Sequence, residues 1–233
     1  MKRSILALLA LLLVPAATPA QAQSQDQFVG AFSGQWQVYD KRLGTGSDTC
    51  GLNLSGLAGA GNTRPLQATN CAPPLNAAAA WSIEGNQLVL YDGQNQPLAR
   101  LGGNQRRITG SATDGTAIVL ERAGGDGSAA MLQAAYNASG CYFVGYTQGC
   151  ARPGDLGLPG PGPDGRIRIE LQANLNAHTE PRVDAESIGT VQRGTCVVAD
   201  SCVMASDGPW CKATFDGAAG WLRKFSLRQN RWP

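Results

Sequence analysis

Ala80-Trp81-Ser82-Ile83-Glu84-Gly85-Asn86-Gln87-Leu88-Val89-Leu90-Tyr91-Asp92-Gly93 is the stretch that decides the fold. Two short runs flank Gly85-Asn86, and the second run stops at Asp92-Gly93. Asp-Gly suits a tight hairpin because Gly takes positive φ freely and Asp tolerates it. Working outward, the same pattern recurs at Trp36 to Tyr39, Leu52 to Leu54, Pro97 to Leu101, Arg107 to Ala112 and Ala117 to Arg122, with Gly102-Gly103 and Asp114-Gly115 as turns. Alternation with a period of two marks half-buried strands. Seven or eight short strands at this spacing predict an all-β fold, a closed antiparallel barrel or a sandwich. Helix fits poorly, since no segment longer than two turns keeps an apolar stripe free of Gly.

Ala123 to Ser128 is a Gly-rich break, and Ala129 to Ala138 reads as a short helix. Cys141 to Cys150 reads as a hairpin whose ends are tied by a disulfide. Leu156 to Gly165 holds four Gly and three Pro, too little apolar surface to repay ordering, and reads as a linker. Strand patterns resume at Arg166 to Leu171, Asn174 to Ala177, Ile188 to Val191, Cys196 to Ala199, Trp210 to Phe215 and Gly220 to Leu222. The expected organisation is residues 1–22 as signal peptide, 23–123 as a first β domain with its leader, 124–165 as disulfide hairpin and linker, and 166–233 as a second small β domain with a basic tail.

Lys2 and Arg3 precede the apolar run Ile5 to Val14, and Ala20-Gln21-Ala22 is a small-residue cleavage pattern, so the first residues read as a signal for export. The run is shorter than the roughly 20 residues needed to span a bilayer, and no later stretch is apolar enough, so no transmembrane segment is expected. Losing Lys2 and Arg3 brings 19 basic residues down to 17, level with the 17 acidic ones. A neutral mature chain argues against nucleic acid as a partner. Arg223, Lys224, Arg228 and Arg231 form the one lopsided segment and read as a solvated tail, with attraction to an anionic surface as the alternative. Seven cysteines in an exported chain imply three disulfides and one odd thiol. No C-x-x-C occurs and His178 is the only histidine, so neither a metal nor another cofactor is expected.

Gly34 to Val38, Cys50 to Leu54, Cys71 with Leu75, Ala80-Trp81, Gly85 to Asp92, and Asp114-Gly115 ahead of Ile118 to Arg122 together resemble the bacterial alkaline-proteinase-inhibitor family, Inh, which includes related outer-membrane lipoproteins. The resemblance implies an eight-stranded up-and-down barrel with a Cys50 to Cys71 disulfide. It also implies a partner: inhibitors of this family block secreted serralysin-like zinc metalloproteases by laying the extended segment ahead of the barrel into the active-site cleft. Carried onto this chain, the protease-contacting leader is Gln23, Ser24, Gln25, Asp26, Gln27 and Phe28, followed by Val29 and Gly30. The alternative is a disordered tail. A Gln23 exposed by cleavage can cyclise onto its own amine; a carbonyl or Asp26 then has to meet the zinc.

Asn174 to His178, Pro181, Ile188 to Thr195, Trp210-Cys211-Lys212 and Gly220-Trp221-Leu222 look like a bacterial SH3-like domain, which implies a second small β-barrel. His178 stands where that family usually has Arg. The alignment sets Cys202 opposite Cys211 as a further bridge and leaves Cys196 odd, either as a buried thiol or as a bridge between two molecules.

The chemistry of catalysis finds few players, and the chain is not expected to be an enzyme. A Ser or Cys nucleophile would depend on His178 alone. Glu84, Asp92, Asp114 and Glu121 are candidate paired carboxylates, but their places beside turns suit solvated hairpin ends better. Trp36, Trp81 and Trp221 fit inward core positions. The expected function is an exported, periplasmic or secreted protease inhibitor with an SH3-like targeting domain. The alternative is a cell-envelope module that binds peptidoglycan or cell-wall peptide without inhibiting anything.

Overall fold

The computed structural model describes residues 25–46, 48–125 and 157–224. The expected signal peptide, the helix at 129–138, the Cys141 to Cys150 disulfide and the tail beyond Lys224 lie outside them. The described chain is all-β apart from one short α-helix and two single 3-10 turns.

Eight strands close into an antiparallel up-and-down barrel: β1 (Gly34–Val38), β2 (Cys50–Leu54), β3 (Arg64–Thr69), β4 (Ala78–Glu84), β5 (Gln87–Asp92), β6 (Pro97–Gly103), β7 (Arg107–Ala112) and β8 (Ala117–Arg122). The ring shuts where Trp36 pairs with Arg122 and Gln37 with Glu121. Inward residues from alternate positions fill it, among them Trp36, Leu52, Trp81, Leu90, Leu101 and Leu120, all fully buried. Each Leu buried this way contributes about 1.5–3 kcal/mol. Cys50 is bonded to Cys71, closing the β2–β3 excursion across 21 residues, and a loop of that size gives about 3 kcal/mol of constraint on the unfolded chain. Gly110 is required by close strand approach: a Cβ there would collide with the Arg100 carbonyl of β6.

A second antiparallel sheet of six strands follows: β9 (Ile167–Glu170), β10 (Leu175–His178), β11 (Ser187–Val191), β12 (Cys196–Ala205), β13 (Gly208–Phe215) and β14 (Ala218–Arg223), in the order β11-β10-β14-β13-β12-β9. Cys202 is bonded to Cys211 across β12 and β13. One face carries this unit's own core, with Leu171, Ala177, Val197, Cys211, Ala213 and Leu222. Cys196 is an exposed thiol at the start of β12, so the buried-thiol expectation is corrected: alternation turns Cys196 outward while Val197 goes in.

The other face packs on the outside of the barrel. Val119 of β8 meets Val203, Ala205 and Trp210 in a separate apolar cluster. Beside it lies a buried charge network. Arg107 of β7 pairs with Glu121 of β8 at 2.5 Å and, across the junction, with Asp207 at 2.8 Å. Asp207 also pairs with Arg223 at 3.2 Å and accepts from Trp210 Nε1 at 3.0 Å. Arg107 Nη1 donates to the Pro181 carbonyl at 2.6 Å, and Glu121 accepts from the Ser206 amide. Arg107 is 1 % exposed and Glu121 and Asp207 are 1 % or less. Two readings are corrected here. Glu121 is no solvated hairpin end, because its alternation face is the one the second sheet covers. Arg223 is not part of a solvated tail, because β14 carries it to the junction; Lys224 is also buried and donates to the Gly157 carbonyl.

Asp207→Ala leaves two guanidinium groups at the junction without their shared carboxylate. Breaking a buried pair from one side costs about 3–5 kcal/mol. The midpoint of urea unfolding is expected to fall accordingly, and a shift worth under about 1 kcal/mol would show that the network is not buried in solution.

Candidate functional site

The leader is not extended where it meets the barrel. Gln25–Phe32 forms a helix, α1, which corrects the expectation of an extended segment through Gly30. The physical reason is local: Phe28, Val29 and Phe32 recur at three- and four-residue spacing and so share one face, and Asp26 sits in the first turn, where the helix dipole favours an acid. Val29 is buried and belongs to the barrel's core cluster. Phe28 stacks on Phe32 at 6.4 Å between ring centroids, and Phe32 on Trp36 at 6.3 Å. The polar run Gln23 to Gln27, which leads into the helix, masks that face.

Arg122, the last residue of β8, clamps the end of α1. Its guanidinium donates to the carbonyls of Ala31 and Ser33, the latter at 2.8 Å, and its Nε donates to the Gln105 carbonyl at 3.0 Å. The same group lies over the Trp36 ring, 4.3 Å from its centroid, and Trp36 Nε1 donates to the Phe32 carbonyl at 2.8 Å. A cation at unsatisfied C-terminal carbonyls is the favourable arrangement for a helix end. Burial pulls the Arg122 pKa down from its usual value, yet a guanidinium remains charged.

α1 therefore sits at the barrel end where β1 begins and β8 finishes. The β2–β3 loop, the Gly85-Asn86 turn and the Asn104 to Arg106 turn form the same rim, since all of them join strands at that end. Leu57 in the β2–β3 loop is 76 % exposed. The loop from Thr179 to Glu186 of the second sheet reaches this rim as well: Asn104 Nδ2 donates to Asp184 Oδ2 at 2.8 Å, next to the Arg107 to Pro181 bond.

Of the expected leader residues, Gln25, Asp26 and Gln27 are exposed on α1 and Phe28 is half-buried, while Gln23 and Ser24 lie outside the described residues. The candidate carboxylates are not gathered: Glu84 is held by Tyr91 and Arg100 at the rim, Asp92 and Asp114 cap turns, and Glu121 faces the second sheet. The Tyr91 hydroxyl holds the Glu84 carboxyl below its ordinary value against the opposing effect of desolvation, and Arg100 adds to the lowering. His178 Nδ1 lies 3.0 Å from the Ala185 carbonyl and its ring meets Trp210 edge-on, a packed structural position. Among the described residues no cluster of three or more His, Cys, Asp or Glu side chains is arranged to hold a metal.

Residues 27–122 match the family model Protease inhibitor Inh. The matched span starts inside α1 and ends at Arg122, so it takes in the clamp and the whole barrel and leaves the second sheet outside. The Inh match supports a protease-inhibitor role for the barrel and points away from catalysis. No curated protein matches the chain.

Arg122→Ala removes the charged donors from the helix end and the cation from the Trp36 face. Hydrogen bonds to charged groups contribute about 1.5–3 kcal/mol. Amides of Val29 to Ser33 should then exchange at least about tenfold faster while the barrel strands keep their protection; unchanged exchange in α1 would refute the clamp.

Proposed function

We propose that the protein is an exported inhibitor of secreted zinc metalloproteases, with the residues ahead of Val29 as the part that enters the cleft. The observation that carries this reading is the junction of a barrel matching Inh with a leader held by Val29 in the barrel core and by Arg122 and Trp36 at the end of its helix. An eight-residue helix is far below the ~12–15 residues at which isolated helices become marginal in water, so its first turn unwinds at little cost. Gln25 to Gln27 then extend the leader, and its main chain adds to the edge of a cleft while the barrel braces it. Two disulfides fit an oxidising compartment, and no helix among the described residues is long and apolar enough to cross a membrane.

The second unit is proposed as the SH3-like targeting domain, with peptidoglycan or cell-wall peptide as its partner. What favours this is a cleft of about 220 Å³ between barrel and sheet, walled by Lys212 and Trp221 opposite each other on β13 and β14 and by Thr109 and Ser111 of β7. A cation beside an indole suits the carboxylate and apolar groups of a short peptide. Lys212→Glu is expected to lower co-sedimentation with insoluble peptidoglycan several-fold, and equal sedimentation of both forms would remove this cleft from consideration.

The main test is direct. The mature protein is expected to inhibit a serralysin-class protease, and deletion of residues 23–28 to weaken inhibition by more than about thirty-fold, the scale of a hot-spot loss. If neither serralysin-class nor thermolysin-class enzymes are slowed by the intact protein, the inhibitor reading fails.

A further inference from the structure

The second sheet lies outside the Inh match, yet one of its loops stands on the rim from which the leader emerges. Among the described residues three large hydrophobic side chains are exposed, Leu57, Val183 and Val198. Two of these belong to that rim: Leu57 in the β2–β3 loop, and Val183 in the Thr179 to Glu186 loop, which is fastened to the β6–β7 turn.

That loop is held in shape from within and from beneath. Arg182 bridges Glu180 at 3.0 Å and Asp184 at 2.8 Å. Its carbonyl accepts from the Ala185 amide, and the Ala185 carbonyl meets His178. Pro181 and Ala185 are buried, Arg107 holds the Pro181 carbonyl, and Asn104 holds Asp184. Burial would raise the Asp184 carboxyl, but the hydrogen bond and charge of Arg182 outweigh it, and the net direction is downward. Val183 is the one member of the loop with a large apolar side chain and it is 42 % exposed. A fixed loop offering an apolar tip loses little conformational entropy on binding.

One short turn joins this loop to the leader. Within Asn104 to Arg107, the Gln105 carbonyl accepts from Arg122, whose other donors hold Ala31 and Ser33, while Asn104 and Arg107 grip the second sheet's loop. Leader, barrel rim and loop are thus a single scaffold. A stable interface takes about 800 Å² from each partner, more than an extended segment of six or so residues supplies.

We propose that the Thr179 to Glu186 loop, through Val183, is a second contact on the same protease whose cleft receives the leader, resting on an apolar patch beside the cleft. This rests on the inhibitor reading above. The second sheet then acts in recognition of the enzyme as well as in localisation, and sets which proteases of the class are bound tightly.

The experiment uses the full mature chain against a serralysin-class zinc protease. Val183→Arg is expected to weaken inhibition at least about tenfold, chiefly through faster dissociation, with thermal melting unchanged. Val183→Ile is expected to inhibit like the wild type. In the complex, amides of residues 182–186 are expected to exchange more slowly than in the free protein. If Val183→Arg inhibits within twofold of wild type and those amides show no added protection, the loop contact is overturned while the leader mechanism stands. If the wild type inhibits and deletion of residues 23–28 has no effect, the leader mechanism falls and the Val183 comparison still decides the loop. If the wild type inhibits no such protease, both fall.

Discussion

Two arginines and two carboxylates largely closed off from water make the separate β units one body. Arg107 and Glu121 come from the barrel, Asp207 and Arg223 from the second sheet, and the Arg107–Asp207 pair that crosses between them lasts only while the two surfaces stay together. Drawing the units apart at this point would strand a net charge of neither, since each half carries its own opposite pair, but it would break the Arg107–Asp207 pair and return Asp207 to Arg223 alone. The desolvation already incurred by such groups is recovered only through close geometry and further hydrogen bonds. Trp210, Ser206 and the Pro181 carbonyl supply those bonds. The network therefore acts as a registration device: it stabilises one docking arrangement far more than any slipped one, where buried charges would lack partners.

Strand β8 connects this device to the leader. Successive side chains on a strand face opposite ways, so Glu121 points out to the second sheet while Arg122 turns to the mouth of the barrel and holds α1. Any force that shifts the second sheet on the barrel bears on Glu121 and Arg107, and Arg122 is joined to the first through the chain and to the second through the Asn104 to Arg107 turn. Cys50–Cys71 and the Trp36 and Trp81 core keep the ring itself from yielding.

The strands of the barrel were legible because their inward residues alternate and their turns carry Gly or Asp at the positions that need them, while the choice of a closed barrel over a sandwich came from the Inh resemblance. β3 was the exception: Arg64-Pro65-Leu66-Gln67 has little alternation, and Pro at the second position is accommodated at the strand's start. α1 was hidden because the polar run Gln23 to Gln27 leads into it and its apolar face, Phe28, Val29 and Phe32, spans little more than one turn. The charge network had no local signal, since Arg107 and Asp207 lie 100 residues apart and charged residues next to turns are ordinarily solvated. One clue was present. Ile118-Val119-Leu120 is apolar at three successive positions, and a strand that is apolar on both faces must be covered on both, which placed something against the outside of β8.

The proposed inhibitor reading asks for stiffness in the frame and softness in the leader. The frame here is cystine-closed, filled with large side chains and braced by the second sheet. α1 has one buried residue and one clamped end, so it sits at the low-stability end of the structure, where local opening is cheap. That contrast lets the leader change shape without loosening what holds it. On that proposal the ordering cost of binding falls on a few residues ahead of Val29, and contacts made by the preformed rim carry almost none of it. A second unit docked rigidly beside the rim enlarges the preformed share of the surface, whereas the same unit on a free tether would add its own entropy cost to every contact it made.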